Sequence, residues 1–177
     1  LAPLMTPLAA QNAPAQNAPA GENRFSSNEL LNAGHGLFGT VSRGLAQIVE
    51  KAVSQWGLPN GYILGEEASG AFVAGLRYGE GELYMKKSGG RPTKVFWQGP
   101  SVGFDLGANA SKSFTLVYKL PNPEAIFQRF PGVDGSYYFV AGIGVNYQQN
   151  GSIILAPMRT GVGLRAGVNA GYLSTAD

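Results

Sequence analysis

The residues of this chain that could do chemistry are few, and their types narrow what that chemistry is. None of its 177 residues is cysteine, which removes disulfide scaffolds, zinc–thiolate centres, iron–sulfur clusters and thiol nucleophiles. His35 is the single histidine, and any Ser-His-Asp triad would have to use it. It lies between Gly34 and Gly36 with no nucleophile motif nearby, so a local structural role is expected. The close carboxylates are Glu66-Glu67 and the Glu80/Glu82 pair. A glycosidase needs two carboxylates across a cleft; glutamates two apart beside glycines read instead as solvated residues flanking a turn. Asp105, between Gly103 and Gly107, would need a cationic partner if buried. Arg77, Arg165 and Lys112 are the candidates for that structural ion pair. There is no G-x-x-x-x-G-K-[ST] phosphate loop, and Gly142-Ile143-Gly144 lacks the third glycine and helix of a dinucleotide site. The sequence therefore assigns no catalytic residue, no metal ligand and no cofactor.

The densest chemistry is basic and aromatic. Arg77, Lys86, Lys87, Arg91 and Lys94 are interleaved with Tyr78, Tyr84, Phe96 and Trp97. Long basic stems beside rings suit an anionic glycan or a lipid head group; a solvated hairpin tip is the competing explanation. Arg77, Tyr84, Lys86, Lys87, Arg91, Lys94 and Trp97 are the candidate binding residues. Nucleic acid is not an expected partner, because 13 basic and 11 acidic residues leave a net charge of only +2, too weak for a general phosphate footprint.

The elements that must position these residues follow from periodicity. Residues 1–24 open on apolar LAPLMTPLAA and continue with a repeated QNAPA unit. They read as the remnant of an export signal or a Pro/Ala-rich tether, leaving residues 25–177 as one domain. Ser26-x-x-Glu29 is a capping box. Behind it, apolar residues from Leu30 to Trp56 recur at helical spacing, predicting an amphipathic helix over 27–57 with a break near Gly34-His35-Gly36. From Gly61 the period becomes two. Strands are predicted over 70–78, 82–87, 93–98, 101–108 and 111–120, with Gly79-Glu80-Gly81 and Ser88-Gly89-Gly90 as turns. A short helix follows Pro123. Further strands are predicted over 137–147, 153–157 and 162–170, with Asn150-Gly151 as a hairpin turn. No run reaches the roughly 18 apolar residues of a membrane-spanning helix.

Glycine makes up 26 residues, roughly twice the usual share. It alternates with apolar residues along several strands. Glycine in strands is unfavourable unless the backbone bends or approaches a neighbour closely. The fold class expected is therefore mainly β (α+β): a small, strongly curved, barrel-like antiparallel sheet, its aliphatic faces forming the core and the helix covering one side.

The stretch SGAFVAGLRYGEGELYMKK, followed by FWQGPSVGFDLGANASKSFTLVYKL, resembles the SYLF domain pattern: a Gly-rich strand, a Y-G-x-G turn, S-V-G-x-x-x-G-A and an aliphatic strand. With its helix, Pro-rich start and GYILGEEASGAFVAGLRYGEGELYMKK core, the chain is more similar still to a bacterial family, domain of unknown function family 1134, of envelope integrity protein A-like proteins. That resemblance implies a small β-barrel with helices, a soluble periplasmic location and a role in maintaining the Gram-negative cell envelope. It brings no catalytic residues. The expected function is non-enzymatic binding of an envelope glycan, lipid or protein, by a chain not integral to the membrane. A small lipid- or ligand-binding barrel is the alternative.

Overall fold

The computed structural model describes residues 23–39, 43–69, 75–100, 110–160 and 172–176. Residues 1–22 of the segment read as a tether, the strands predicted over 101–108 and 162–170, and Asp105 and Arg165 lie outside these residues.

The helical prediction resolves into two helices, α1 (Ser27–Phe38) and α2 (Arg43–Trp56). The capping box forms: the Glu29 amide donates to Ser26 Oγ at 3.2 Å, and the Ser26 amide donates to Glu29 Oε1 at 3.3 Å. The break comes after Phe38, at Gly39, whose φ of 84° caps the helix, and not at Gly34–Gly36. Gly34 serves packing instead. A Cβ there would stand 2.6 Å from Leu45 of α2 and 3.1 Å from Phe114, so its bareness lets α1 close onto its neighbours.

The strands are β1 (Gly61–Ser69), β2 (Leu76–Met85), β3 (Pro92–Pro100), β4 (Ala110–Tyr118), β5 (Arg129–Pro131), β6 (Tyr138–Val140), β7 (Ile143–Val145), β8 (Gln148–Asn150), β9 (Ile153–Thr160) and β10 (Tyr172–Ala176). All pair antiparallel, in the order β5-β10-β3-β2-β1-β4-β9-β7-β6, with β8 also on β9. The sheet curls until a single bridge, Gly132 to Gln148, links the segment after β5 to β8. The result is barrel-like without a closed ladder, in agreement with the expected fold class. A short 3-10 helix, Pro123–Ile126, is capped by the Asn122 side chain.

The curl has two cores, one on each face. On the outer face α1 and α2 lay Leu30, Leu45, Ile48, Val49 and Ala52 against Phe114, Leu116, Tyr118 and Met158. The inner face carries Ile63, Leu83, Val95, Val117, Leu155 and Phe130. β4 lies between them, and every residue from Ser113 to Tyr118 is buried.

Three expectations are corrected. The Tyr-Gly-Glu-Gly sequence at 78–81 is not a turn, because β2 runs straight through it. The chain turns back before Leu76 instead, where Gly75 has φ 84°. Similarly, the alternating stretch 137–147 is not one strand. It folds back at Ala141-Gly142, both at positive φ, to pair β6 with β7. The glycines of β1 and β2 also face inward rather than opposite the core. Gly79 pairs with Trp97 across β2–β3 and with Glu67 across β1–β2. A Cβ on Gly79 would overlap the Trp97 indole, and one on Gly65 would stand 2.6 Å from its Cη2. Bare backbone at these positions is what lets the ring lie across the inner surface of the sheet.

Substituting Gly79 with Ala should therefore destabilise the fold by about 1–3 kcal/mol through overpacking. In a Trp97→Leu background the same substitution should cost much less. Urea unfolding of the four proteins in this double-mutant cycle checks it. A coupling energy near zero would show that the ring does not set the glycine requirement.

Candidate functional site

The structure distributes the predicted basic and aromatic residues over three environments. Lys87, Arg91 and Lys94 are exposed on the β2–β3 hairpin and its rim. Lys94 lies opposite Glu82 in the ladder, and its Nζ stands 5.3 Å from the Phe96 ring. Tyr84 and Lys86 are half-buried toward α1. Tyr84 stacks on Tyr62 with ring centres 5.1 Å apart and donates to Glu82 Oε2 at 2.6 Å. The Glu82 carboxylate, more than burial, pushes its phenol up to about 12. Lys86 Nζ reaches Glu29 Oε2 at 2.9 Å, so it ties the capping box of α1 to the hairpin. Arg77 and Trp97 are in neither place. They point into the barrel, 2 % and 4 % exposed, so a ligand arriving at the hairpin from outside meets Lys87, Arg91 and Lys94 without them. His35 is in the last turn of α1.

A groove that sequence spacing did not disclose opens beside the C-terminal end of α2. Its volume is about 440 Å³, within the roughly 300–1,000 Å³ of small-molecule clefts. One wall is α2, where Lys51, Gln55 and Trp56 fall on adjacent turns; the other is the turn from Val133 to Tyr138; Tyr147 and Gln149 lie beneath. Ser136 fixes the turn, donating to the Val133 carbonyl at 2.6 Å and accepting from the Tyr147 amide at 3.0 Å. Trp56 meets Tyr147 edge-on, ring centres 5.8 Å apart. Lys51 Nζ lies 3.8 Å over the Tyr138 ring. The Tyr138 and Tyr147 hydroxyls are 3.4 Å apart, and burial, then that bond, raises the Tyr138 phenol far above its ordinary value. The Trp56 indole N–H is buried with no hydrogen-bond acceptor.

Inside the barrel, at the end where β1, β3 and β9 finish, the polar residues converge on Glu67. Of the adjacent Glu66 and Glu67, Glu66 is exposed, whereas Glu67 is only 2 % exposed. Neighbours along a strand face opposite sides, and Glu67 shares the inner face with Ile63 and Gly65. Trp97 Nε1 donates to its Oε1 at 2.8 Å, Arg159 Nε donates to its Oε2 at 2.8 Å, and Arg77 Nε stands 3.6 Å from Oε1. Arg159 Nη1 donates onward to Asn146 Oδ1 at 2.9 Å. Burial alone would raise the Glu67 pKa, but Arg159 and Arg77, with the hydrogen bonds, hold it below its ordinary 4.5.

Replacing Glu67 with Gln removes the carboxylate charge that faces two buried arginines. Breaking a buried pair in this way costs about 3–5 kcal/mol, which chemical denaturation at pH 7 would measure. The pH dependence has a definite sign. Because the folded carboxyl titrates lower than the unfolded one, its contribution is complete above pH ~4.3 and is lost as pH falls through the folded pKa. Wild-type stability should therefore drop below that pH more steeply than that of Glu67→Gln. Parallel acid limbs in the two proteins would contradict a charged Glu67 in the native state.

Comparison with known proteins supplies the family. The crystal structure of a β-barrel-like, uncharacterized protein from Brucella abortus superposes with a TM-score of 0.79 at 49 % sequence identity, covering 87 % of this chain and 94 % of that one. No functionally curated protein matches. Residues 23–177 match the family described as envelope integrity protein A. A strongly curled antiparallel sheet, two helices packed on its outer face and the match over the whole described region lead to one conclusion: the chain belongs to the envelope integrity protein A family.

Proposed function

We propose that this chain is a non-enzymatic periplasmic protein that supports the Gram-negative envelope by binding one of its components. The observation that carries this reading is the groove beside α2, where Trp56, Tyr138 and Tyr147 meet charged and amide side chains at an opening to the outside. Large aromatic rings with a few placed polar groups are the usual lining of a binding site. Membership of an envelope integrity family supports the envelope as the setting. No helix among the described residues is long and apolar enough to cross a membrane. Binding is favoured over catalysis because the most densely connected ionisable groups, Glu67 and Arg159, are committed to each other away from solvent. A ligand held inside the barrel, the alternative reading, would have to displace Trp97 from Gly65 and Gly79 and compete with the packed cluster around Leu83, Val95 and Phe130.

Purified chain mixed with isolated Gram-negative envelopes should co-sediment saturably. Neutralising Lys87, Arg91 and Lys94 together to Ala tests the exposed hairpin without touching Arg77, whose removal would disturb the interior. Retained co-sedimentation in that variant assigns the contact to the groove, and its loss assigns it to the hairpin. A chain that stays in the supernatant at every envelope concentration would overturn the binding function.

A further inference from the structure

The groove beside α2 has a composition that selects among envelope chemistries. We infer that it is a carbohydrate site, built to hold a short, uncharged glycan segment. This rests on the binding function proposed above and specifies its ligand. A pyranose ring presents two unlike surfaces: a flat patch of C–H groups and a rim of hydroxyls that both donate and accept. Its receptor needs flat aromatic area with a mixed set of donors and acceptors around it. The groove supplies the area from the partly exposed Trp56 and Tyr138, both backed by the buried Tyr147, with the Lys51 ammonium over one side of Tyr138. It supplies the rim from Gln55, an amide that both donates and accepts, and from Asp134, an acceptor; both are exposed at the mouth.

The charges argue against the other envelope chemistries. Lys51 and Asp134 are the charged residues of the lining, one of each sign. A site for a phosphate or polyanionic head group would carry clustered cations, whereas this lining carries one, Lys51, matched by Asp134. An acyl chain would need a long apolar channel, whereas this groove has amide, carboxylate and ammonium groups among its rings. The rings are also rigid before binding, because the turn over 133–138 is pinned to Tyr147 through Ser136. Little side-chain ordering would remain to oppose association.

The test is calorimetric titration of the intact chain with N-acetylglucosamine oligosaccharides, maltotriose and galactose, alongside inorganic phosphate and dihexanoylphosphatidylglycerol. Saturable binding of at least one saccharide is expected, with no response to phosphate or the lipid. Gln55→Ala combined with Asp134→Ala alters only exposed side chains and should leave the melting temperature unchanged while weakening that saccharide roughly tenfold or more. Tyr138→Leu, which removes a partly exposed ring of the groove, should weaken it by about threefold or more. Lys87→Ala with Lys94→Ala should bind as wild type. Absence of saccharide binding, saccharide binding unchanged by the groove variants, or groove-dependent binding of phosphate or the lipid would each overturn the assignment. The outcome separates from that of the envelope sedimentation: a chain that co-sediments but ignores every saccharide defeats the glycan and leaves the binding function standing, and a chain that does neither defeats both.

Discussion

Placing the Glu67 carboxylate inside the barrel constrains much of the rest of the structure. An ionised carboxylate away from water must be surrounded by donors and opposite charge, and no single strand can provide them. Trp97 comes from β3, Arg77 from β2 and Arg159 from β9. Those strands reach one point only if the sheet curls tightly, and Trp97 reaches it only if Gly65 and Gly79 leave room beneath the indole. Curvature, the glycine pattern and the buried charge are thus one requirement met by several residues. Arg159 extends it to Asn146, which fixes the segment joining β7 and β8.

The same arrangement separates what holds the fold from what is offered to a ligand. Arg77 and Trp97, chemically the most conspicuous members of the basic and aromatic stretch, are used internally. Lys86 is used to join the hairpin to α1 through Glu29. The pair is partly exposed, so its worth is modest, at most about 1 kcal/mol, but it fixes where the hairpin sits relative to the helix. The groove lies elsewhere, between α2 and the turn before β6. Its residues pack on the outer core, so a ligand there would need no change inside the barrel.

Much of this was legible in the sequence where a signal is local. Ser26 and Glu29 announce the helix start because both partners of the capping box sit within one turn. Asn150-Gly151 marks the β8–β9 hairpin, with Gly151 at φ 60°. Alternation found β3, β4 and β9, and the glycine excess led to a curved sheet. The readings that failed depended on distant partners. Gly34 looks like a helix breaker until Leu45 and Phe114 are seen against it; Gly79 and Gly81 look like a turn until Trp97 is seen across them. Glu67 is not distinguished from Glu66 until the strand glycines, expected opposite the core, are seen to face inward and to take Glu67 with them. The groove left no sequence signature, because Trp56, Tyr138 and Tyr147 belong to three separate segments brought together only by the curl.

The two ends of the strand order, β5 and β6, are three residues long each. A curved sheet that stops short of closing leaves unpaired amides and carbonyls, and these are templates on which other chains add strands and aggregate. Here each terminal strand is too brief to hold a foreign strand in register, and the segment after β5 is already engaged by β8 at the Gly132–Gln148 bridge. A glycine-rich β protein with few surface charges would otherwise be poorly protected against its own copies. Keeping the open seam to a few residues gives this fold much of the safety of a closed barrel, while the sheet remains free to close down around Glu67 as far as Trp97 allows.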